Sequence, residues 1–302
     1  MNGSMTAERP SAFAIWWQAA RPHTLSLSVS PVLAGLVLAL AETSRIDVPV
    51  AIVTMLAAIA IQIGTNLNND AADAVNGTDQ IDRVGPARIT QKGWASPRQV
   101  FTAAHIAFGL AAVGGIYLVA VGGLPIMAIG ILSLIAGYAY SSGPWPISRS
   151  PWGEAFVIAF FGLVAVAGSF YLQTGWVDLA AVLFGLVVGL PAAAVLLVNN
   201  TRDRETDTLA GRQTLAIRVG PDGANRLYGL LLWASFAVLF CLSLLGFPGV
   251  LLGVVAIPLA RKAQRDFSAA HLPVDFNQCL ARTAAFQMAL CASASIGLVI
   301  IG

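Results

Sequence analysis

The sequence predicts an all-α polytopic membrane protein with about nine transmembrane helices. Three observations lead there. Of the 302 residues, 57% are hydrophobic and only 11% are charged, with a mean hydropathy of +0.75, whereas soluble domains carry about 25% charged residues. Apolar runs of roughly spanning length recur along the whole chain. The connections between them alternate between short, weakly charged segments and longer basic ones.

A spanning helix needs about 20 mainly apolar residues. In lipid, only a helix or a closed barrel satisfies every backbone group, and these runs are too long and too continuously apolar for barrel strands. In order they lie near 13–41, 48–69, 99–121, 124–142, 154–173, 177–200, 225–245, 248–262 and 279–301. The first is interrupted by Arg21, Pro22 and His23, which does not fit a cleavable signal segment; residues 1–12 ahead of it read as a flexible N-terminus. The third and fourth are separated by little more than "VGG". The eighth is short, and "GFPG" at 246–249 marks a tight hairpin before it. One domain over 1–302 accommodates them all.

Lys and Arg placement sets the orientation. With a cytoplasmic N-terminus and alternating spans, 16 of the 17 basic residues fall on the cytoplasmic side, and only Arg45 falls outside. The three cysteines, Cys241, Cys279 and Cys291, lie in or beside apolar stretches and read as packing thiols, not as a disulfide or metal set. There is no phosphate-binding Gly-rich loop ending in Lys-Ser/Thr, and no nucleic-acid partner is expected. His105, inside a span, reads as a packing residue.

Two polar segments end apolar spans: "NLNNDAAD" at 66–73 and "NNTRDRETD" at 199–207. If the helices continue through them, Asn66, Asp70 and Asp73 share one face, as do Asn199, Asp203 and Asp207. Carboxylates at i and i+4 repel, and both sets sit at the negative ends of helix dipoles. Four aspartates so placed call for a cation. An oxygen-only donor set suits a hard ion, with Mg²⁺ the natural candidate. Such a site leaves positions for a phosphorylated substrate. Arg83, Arg88 and Lys92 follow the first segment, and Arg202, Arg204, Arg212 and Arg218 surround the second. Guanidinium and ammonium groups are the usual partners of phosphate oxygens. The composite reads as a Mg²⁺–diphosphate site at a membrane surface, suited to a prenyl diphosphate with its tail among the helices. A cation- or proton-coupled transporter is the competing class; against it, the acids lie at helix exits beside a basic loop.

"NLNNDAADAVNGTD" with "RVGPARITQKG", and "NNTRDRETDTLAGRQTLAIRVG", resemble the two aspartate-rich motifs of the UbiA-type intramembrane prenyltransferases. The branch most resembled is the 1,4-dihydroxy-2-naphthoate polyprenyltransferases of menaquinone synthesis. "ARPHTLSLSVSPVLAG" at 20–35 and "FFGLVAVAGSFYLQTG" at 160–175 are also similar to that branch. The resemblance covers most of 15–220; beyond that only the hydrophobic pattern matches.

It implies a helical bundle around a central cavity that opens laterally to lipid, under a cytoplasmic cap of long loops, in a bacterial plasma (inner) membrane. It implies polyprenyl diphosphate and an aromatic acceptor as substrates. Asp70, Asp73, Asp203 and Asp207, with Asn66 and Asn199, match the catalytic and metal-binding positions. Arg21, Arg83, Arg88, Lys92 and Arg149, with Asn69, Asn200 and Tyr140, are the expected diphosphate and acceptor contacts. One stretch departs from the branch. "GPWPISRSPWGE" at 143–154 has Trp145 in place of Arg and Ile147 in place of Tyr, with Arg149 a displaced charge. This leaves another acceptor, such as a hydroxybenzoate, open. Tyr138, Tyr140 and Glu154 are the polar candidates beside it.

Overall fold

Arg21 shows how local sequence shapes the bundle. It adopts a left-handed conformation, φ 53° and ψ 66°, because the Pro22 ring disfavours the helical region for the residue before it. The first expected span is therefore two helices: α1 (Ala12–Ala20), then α2 (Pro22–Thr43). In this computed structural model residues 9–77 and 88–301 are described, without the side chain of His23. Among them every regular element is helical.

α3 (Val48–Val75) starts at Asp47, whose carboxylate accepts from the Val50 N–H at 3.0 Å. It continues through the first acidic segment, as the sequence requires if the acids share a face. α4 (Pro97–Ala139) opens on a reciprocal Ser96–Gln99 cap. It is interrupted at Gly123, where φ is 66° and ψ −153°. A Cβ on Gly137 would lie 3.1 Å from the Phe108 ring. A straight helix would separate those residues by roughly 40 Å. The two halves therefore fold back against each other, and α4 contains the expected span 99–121 and most of 124–142, ending at Ala139.

α5 (Gly153–Val157), a π-helical stretch Ile158–Val164 and α6 (Ala165–Thr174) form one continuous rod. The π stretch presents Gly162 to α7 (Leu179–Arg202), where a Cβ would lie only 2.5 Å from the Gly185 carbonyl oxygen. Small residues permit such backbone approach, and in lipid that packing replaces the hydrophobic drive. α7 is the hub of the core, with 72% of its most apolar window buried against 11% for α4.

α7 stops at Arg202, one residue before Asp203, and α8 (Arg204–Leu209) carries Asp207. The expectation of one continuous helix face for Asn199, Asp203 and Asp207 is thus corrected: the chain bends at Asp203. α9 (Leu215–Leu244) is bent at Gly220, ahead of Pro221. The expected span 248–262 begins as a 3₁₀ helix, Pro248–Ala256, and becomes α-helical only in α10 (Ile257–Ala269). The reason is backbone crowding: the Gly249 carbonyl lies against Gly297 of α11 (Pro273–Ile301), and neither position has room for a Cβ. Among the described residues, seven helices are long and apolar enough to cross a membrane, α4 counted once.

Candidate active site

Arg21, Asn69, Tyr140, Arg202 and Asn277, each at or within two turns of a helix end, converge on one end of a central cavity of about 1000 Å³. That volume is at the upper end for a small-molecule site. Its polar end carries Arg21, Thr24, Asn66, Asn69, Asn199, Arg202 and Asn277. The remainder is largely apolar, contributed by α2, α3, both halves of α4, the α5–α6 rod, α7 and α11. Tyr140 and Phe156 lie in the wall with ring centroids 6.3 Å apart, and Phe156 stacks on Phe160 at 4.4 Å.

The first motif is built into α3. Asn66 donates from Nδ2 to the Ala20 carbonyl at 3.0 Å and to Thr24 Oγ1 at 3.1 Å, tying α3 to the α1–α2 junction beside Arg21. Asp70 is buried and holds the cap loop: it accepts from the Ile89 N–H at 3.1 Å and from the Thr90 hydroxyl. Asp73 takes guanidinium groups on both oxygens, Arg88 at 2.5 Å and Arg212 at 2.7 Å.

The second motif is arranged around two arginines. Arg202 forks onto both oxygens of Asp203 at 2.7 Å. It also donates to Asn199 Oδ1 at 2.8 Å and Asn277 Oδ1 at 3.0 Å. Arg212 reaches Asp207 at 3.3 Å while holding Asp73, so one guanidinium joins the two motifs. The two acidic segments, with Asp70 and Asp203 standing 133 positions apart in sequence, are neighbours, as their chemistry requires.

The other expected site residues divide. Arg21, Asn66, Asn69, Asn199 and Tyr140 line the cavity; Asp70, Asp73, Asp203 and Asp207 do not, being engaged by the donors just described. Arg88 is buried against Asp73. Lys92 is exposed on the cap loop and is absent from the wall. Arg149 ends a single 3₁₀ turn, and its carbonyl accepts from Gln213 N–H at 2.9 Å. Asn200 points away from the cavity wall to Glu154. Arg83 lies outside the described residues.

Sequence reasoning named Arg202 and Arg212 only among the basic residues around the second motif, as phosphate partners, and gave no role to Asn277 or Thr90. Asn277 had a faint signal, a polar residue opening the last apolar run. Arg212 had none beyond its charge, since its partners are set by the turn at Gly211, whose φ is 70°.

The donor set is right for a hard cation: carboxylates and amide oxygens, without sulfur or imidazole. Asn69 Oδ1 is a buried acceptor with no hydrogen-bond partner, on the residue before Asp70 and in the cavity wall. Among the described residues no three acidic, His or Cys side chains are already grouped as a metal cage; Asp73, Asp203 and Asp207 instead face arginines.

Residues 28–269 match the UbiA prenyltransferase family. The chain is 36% identical over 256 residues to the 1,4-dihydroxy-2-naphthoate octaprenyltransferase of Mycobacterium tuberculosis, covering 84% of this chain and 86% of that one. It is 34% identical to the 1,4-dihydroxy-2-naphthoate octaprenyltransferase of Escherichia coli, over 92% of this chain and 93% of that one. The fold is similar to that of a UbiA homologue from Archaeoglobus fulgidus solved bound to DMAPP and Mg²⁺. The TM-score is 0.65 at 14% identity, covering 95% of this chain and all of that one. With its long apolar helices, its two aspartate-rich motifs side by side and these relatives, the chain belongs to the UbiA prenyltransferase family and is an integral membrane prenyltransferase.

Proposed function

We propose that this enzyme transfers a polyprenyl group from its diphosphate to 1,4-dihydroxy-2-naphthoate, with loss of CO₂, giving a demethylmenaquinol. The observation that carries the reading is the two-ended cavity. Its polar end adjoins both aspartate motifs, and its apolar body suits a long isoprenoid tail. The names of the relatives support the acceptor.

Asp70, Asp73, Asp203 and Asp207 would hold Mg²⁺. When bound, the ion supplies charge stabilisation to the departing diphosphate. Arg21 and Arg202 at the polar end add fixed positive charge where negative charge develops. The C1–O bond of the prenyl diphosphate breaks, and its electron pair leaves with diphosphate. The apolar wall keeps water from the allylic fragment. Tyr140, Phe156 and Phe160 offer ring faces to that cationic fragment and to a flat acceptor. The ring carbon bearing the carboxylate forms the new bond to C1. The carboxylate then departs as CO₂ and returns its electron pair to the ring, so no base is needed at that carbon.

The substitutions at Trp145 and Ile147 fit this acceptor. Trp145 is 87% exposed, and neither residue belongs to the cavity wall, so the wall is unaltered by the departure from the branch pattern. The family match over residues 28–269 speaks against the transporter reading. The charge distribution along the chain supports a site facing the cytoplasm.

The test is product analysis in proteoliposomes with a radiolabelled polyprenyl diphosphate. Naphthoate and hydroxybenzoate serve as parallel acceptors, with and without EDTA. A naphthoate-derived product abolished by EDTA and restored by Mg²⁺ is expected. Product from hydroxybenzoate alone would overturn the acceptor assignment.

A further inference from the structure

Arg212 holds both motifs at once, with Asp73 at 2.7 Å and Asp207 at 3.3 Å. Its backbone is fixed independently of its side chain. The Arg212 N–H donates to the Asp207 carbonyl at 2.9 Å, and the Gly211 N–H donates to Thr208. The next residue, Gln213, is tied to Arg149 across the cap. Its guanidinium is therefore a charge on a long flexible stem, rooted at a rigid point and set between carboxylates proposed to hold metal. Two carboxylates cannot serve a divalent ion fully while a guanidinium occupies the same oxygens. A guanidinium released beside an arriving diphosphate has an immediate partner of matching fork geometry.

We infer that Arg212 is an exchangeable clasp: it bridges Asp73 and Asp207 until a metal–diphosphate pair arrives, then transfers its hydrogen bonds to the diphosphate. The clasp makes metal loading depend on substrate. A divalent ion alone must displace a bound cation from both carboxylates, whereas ion and diphosphate together offer that cation a new anionic partner. Asp203 has a different counter-ion. Arg202 is spread over Asp203, Asn199 and Asn277 within one stretch of the fold and spans no second motif.

The inference rests on the metal-binding role proposed above for the aspartates, and Mn²⁺ titration followed by electron paramagnetic resonance separates the two. Purified protein in lipid is titrated with Mn²⁺ alone and with inorganic diphosphate present. For the wild type, weak binding alone and binding about tenfold tighter or more with diphosphate are expected. Arg212→Gln is expected to bind Mn²⁺ alone about tenfold tighter than the wild type and to lose most of the diphosphate enhancement. Arg212→Lys, which can engage only one of the two carboxylates, is expected between them and decides the matter if Arg212→Gln does not fold. Absence of Mn²⁺ binding in the wild type even with diphosphate would remove the metal reading itself. Normal wild-type binding, with the arginine variants no tighter in the absence of diphosphate, would remove the clasp and leave the metal reading standing.

Discussion

The amide of Asn200 donates to one carboxylate oxygen of Glu154 at 2.9 Å, joining the second aspartate motif to the first turn of α5. The other oxygen of Glu154 is buried without a partner. This link runs between the motif and the rod whose next turns carry Phe156 and Phe160, the aromatic part of the cavity wall.

Breaking that link should show first in stability. Glu154→Gln keeps an acceptor for Asn200 and is expected to melt close to the wild type. Glu154→Ala leaves a buried amide unpaired and is expected to cost about 1–3 kcal/mol. Asn200→Asp sets two carboxylates against each other and should be worse than either. Melting curves in detergent rank the three; equal curves for the Gln and Ala variants would show that the bond contributes nothing.

Asp70 has two separable roles. Its oxygens hold the Ile89 N–H and the Thr90 hydroxyl, and in the function proposed above its charge would serve the metal. Asp70→Asn preserves an acceptor but not the charge, so prenyl transfer should fall by about 10²-fold or more while the cap loop stays as protease-resistant as in the wild type. Asp70→Ala should lose both. Limited proteolysis beside a product assay tests this, and a loosened loop in the Asn variant would contradict it.

Asn66 is expected to act through position. Asn66→Ala removes both bonds to the α1–α2 junction and should destabilise the protein by about 1–3 kcal/mol. Arg21 would then be set less firmly, so KM for the prenyl diphosphate should rise more than kcat falls. Steady-state kinetics with the diphosphate varied separates the two.

Gly130 lines the cavity with open space where a side chain would stand. Gly130→Phe should shorten the tail that fits. Octaprenyl diphosphate is expected to react at least tenfold more slowly, corresponding to about 1.4 kcal/mol of lost transition-state binding, while geranyl diphosphate reacts as before. Competition between the two donors, read by mass, gives the ratio directly.

The sequence made the acidic segments legible because their spacing is local: α3 places Asn66, Asp70 and Asp73 on one helix, as i, i+4, i+7 demands. It also displayed the break at Arg21, since proline restricts the residue before it. The bend at Asp203 was hidden, because an uncapped helix end next to charged residues has no local signature. Arg212 and Asn277 were hidden for a different reason. Their partners are distant in sequence, and only the packing of α8 and α11 against the motifs brings them together. The fold-back inside α4 was legible as "VGG", while the 3₁₀ stretch at 248–256 depended on a backbone contact with Gly297 that no pattern within the segment announces.

The uneven burial of α7 and α4 also predicts how freely this sequence can drift. α4 turns Ile106, Leu110 and Val113 outward, each at least 60% exposed, and lipid distinguishes poorly among aliphatic shapes. A saturation library should find nearly any apolar exchange acceptable there. On α7 the same library should meet near-uniform rejection at Gly185, Gly189 and Ala192–Ala194, where a neighbouring backbone or a closely packed core occupies the space. Two helices of similar hydrophobicity would thus accumulate variation at very different rates, and divergence along this chain would report packing more than chemistry.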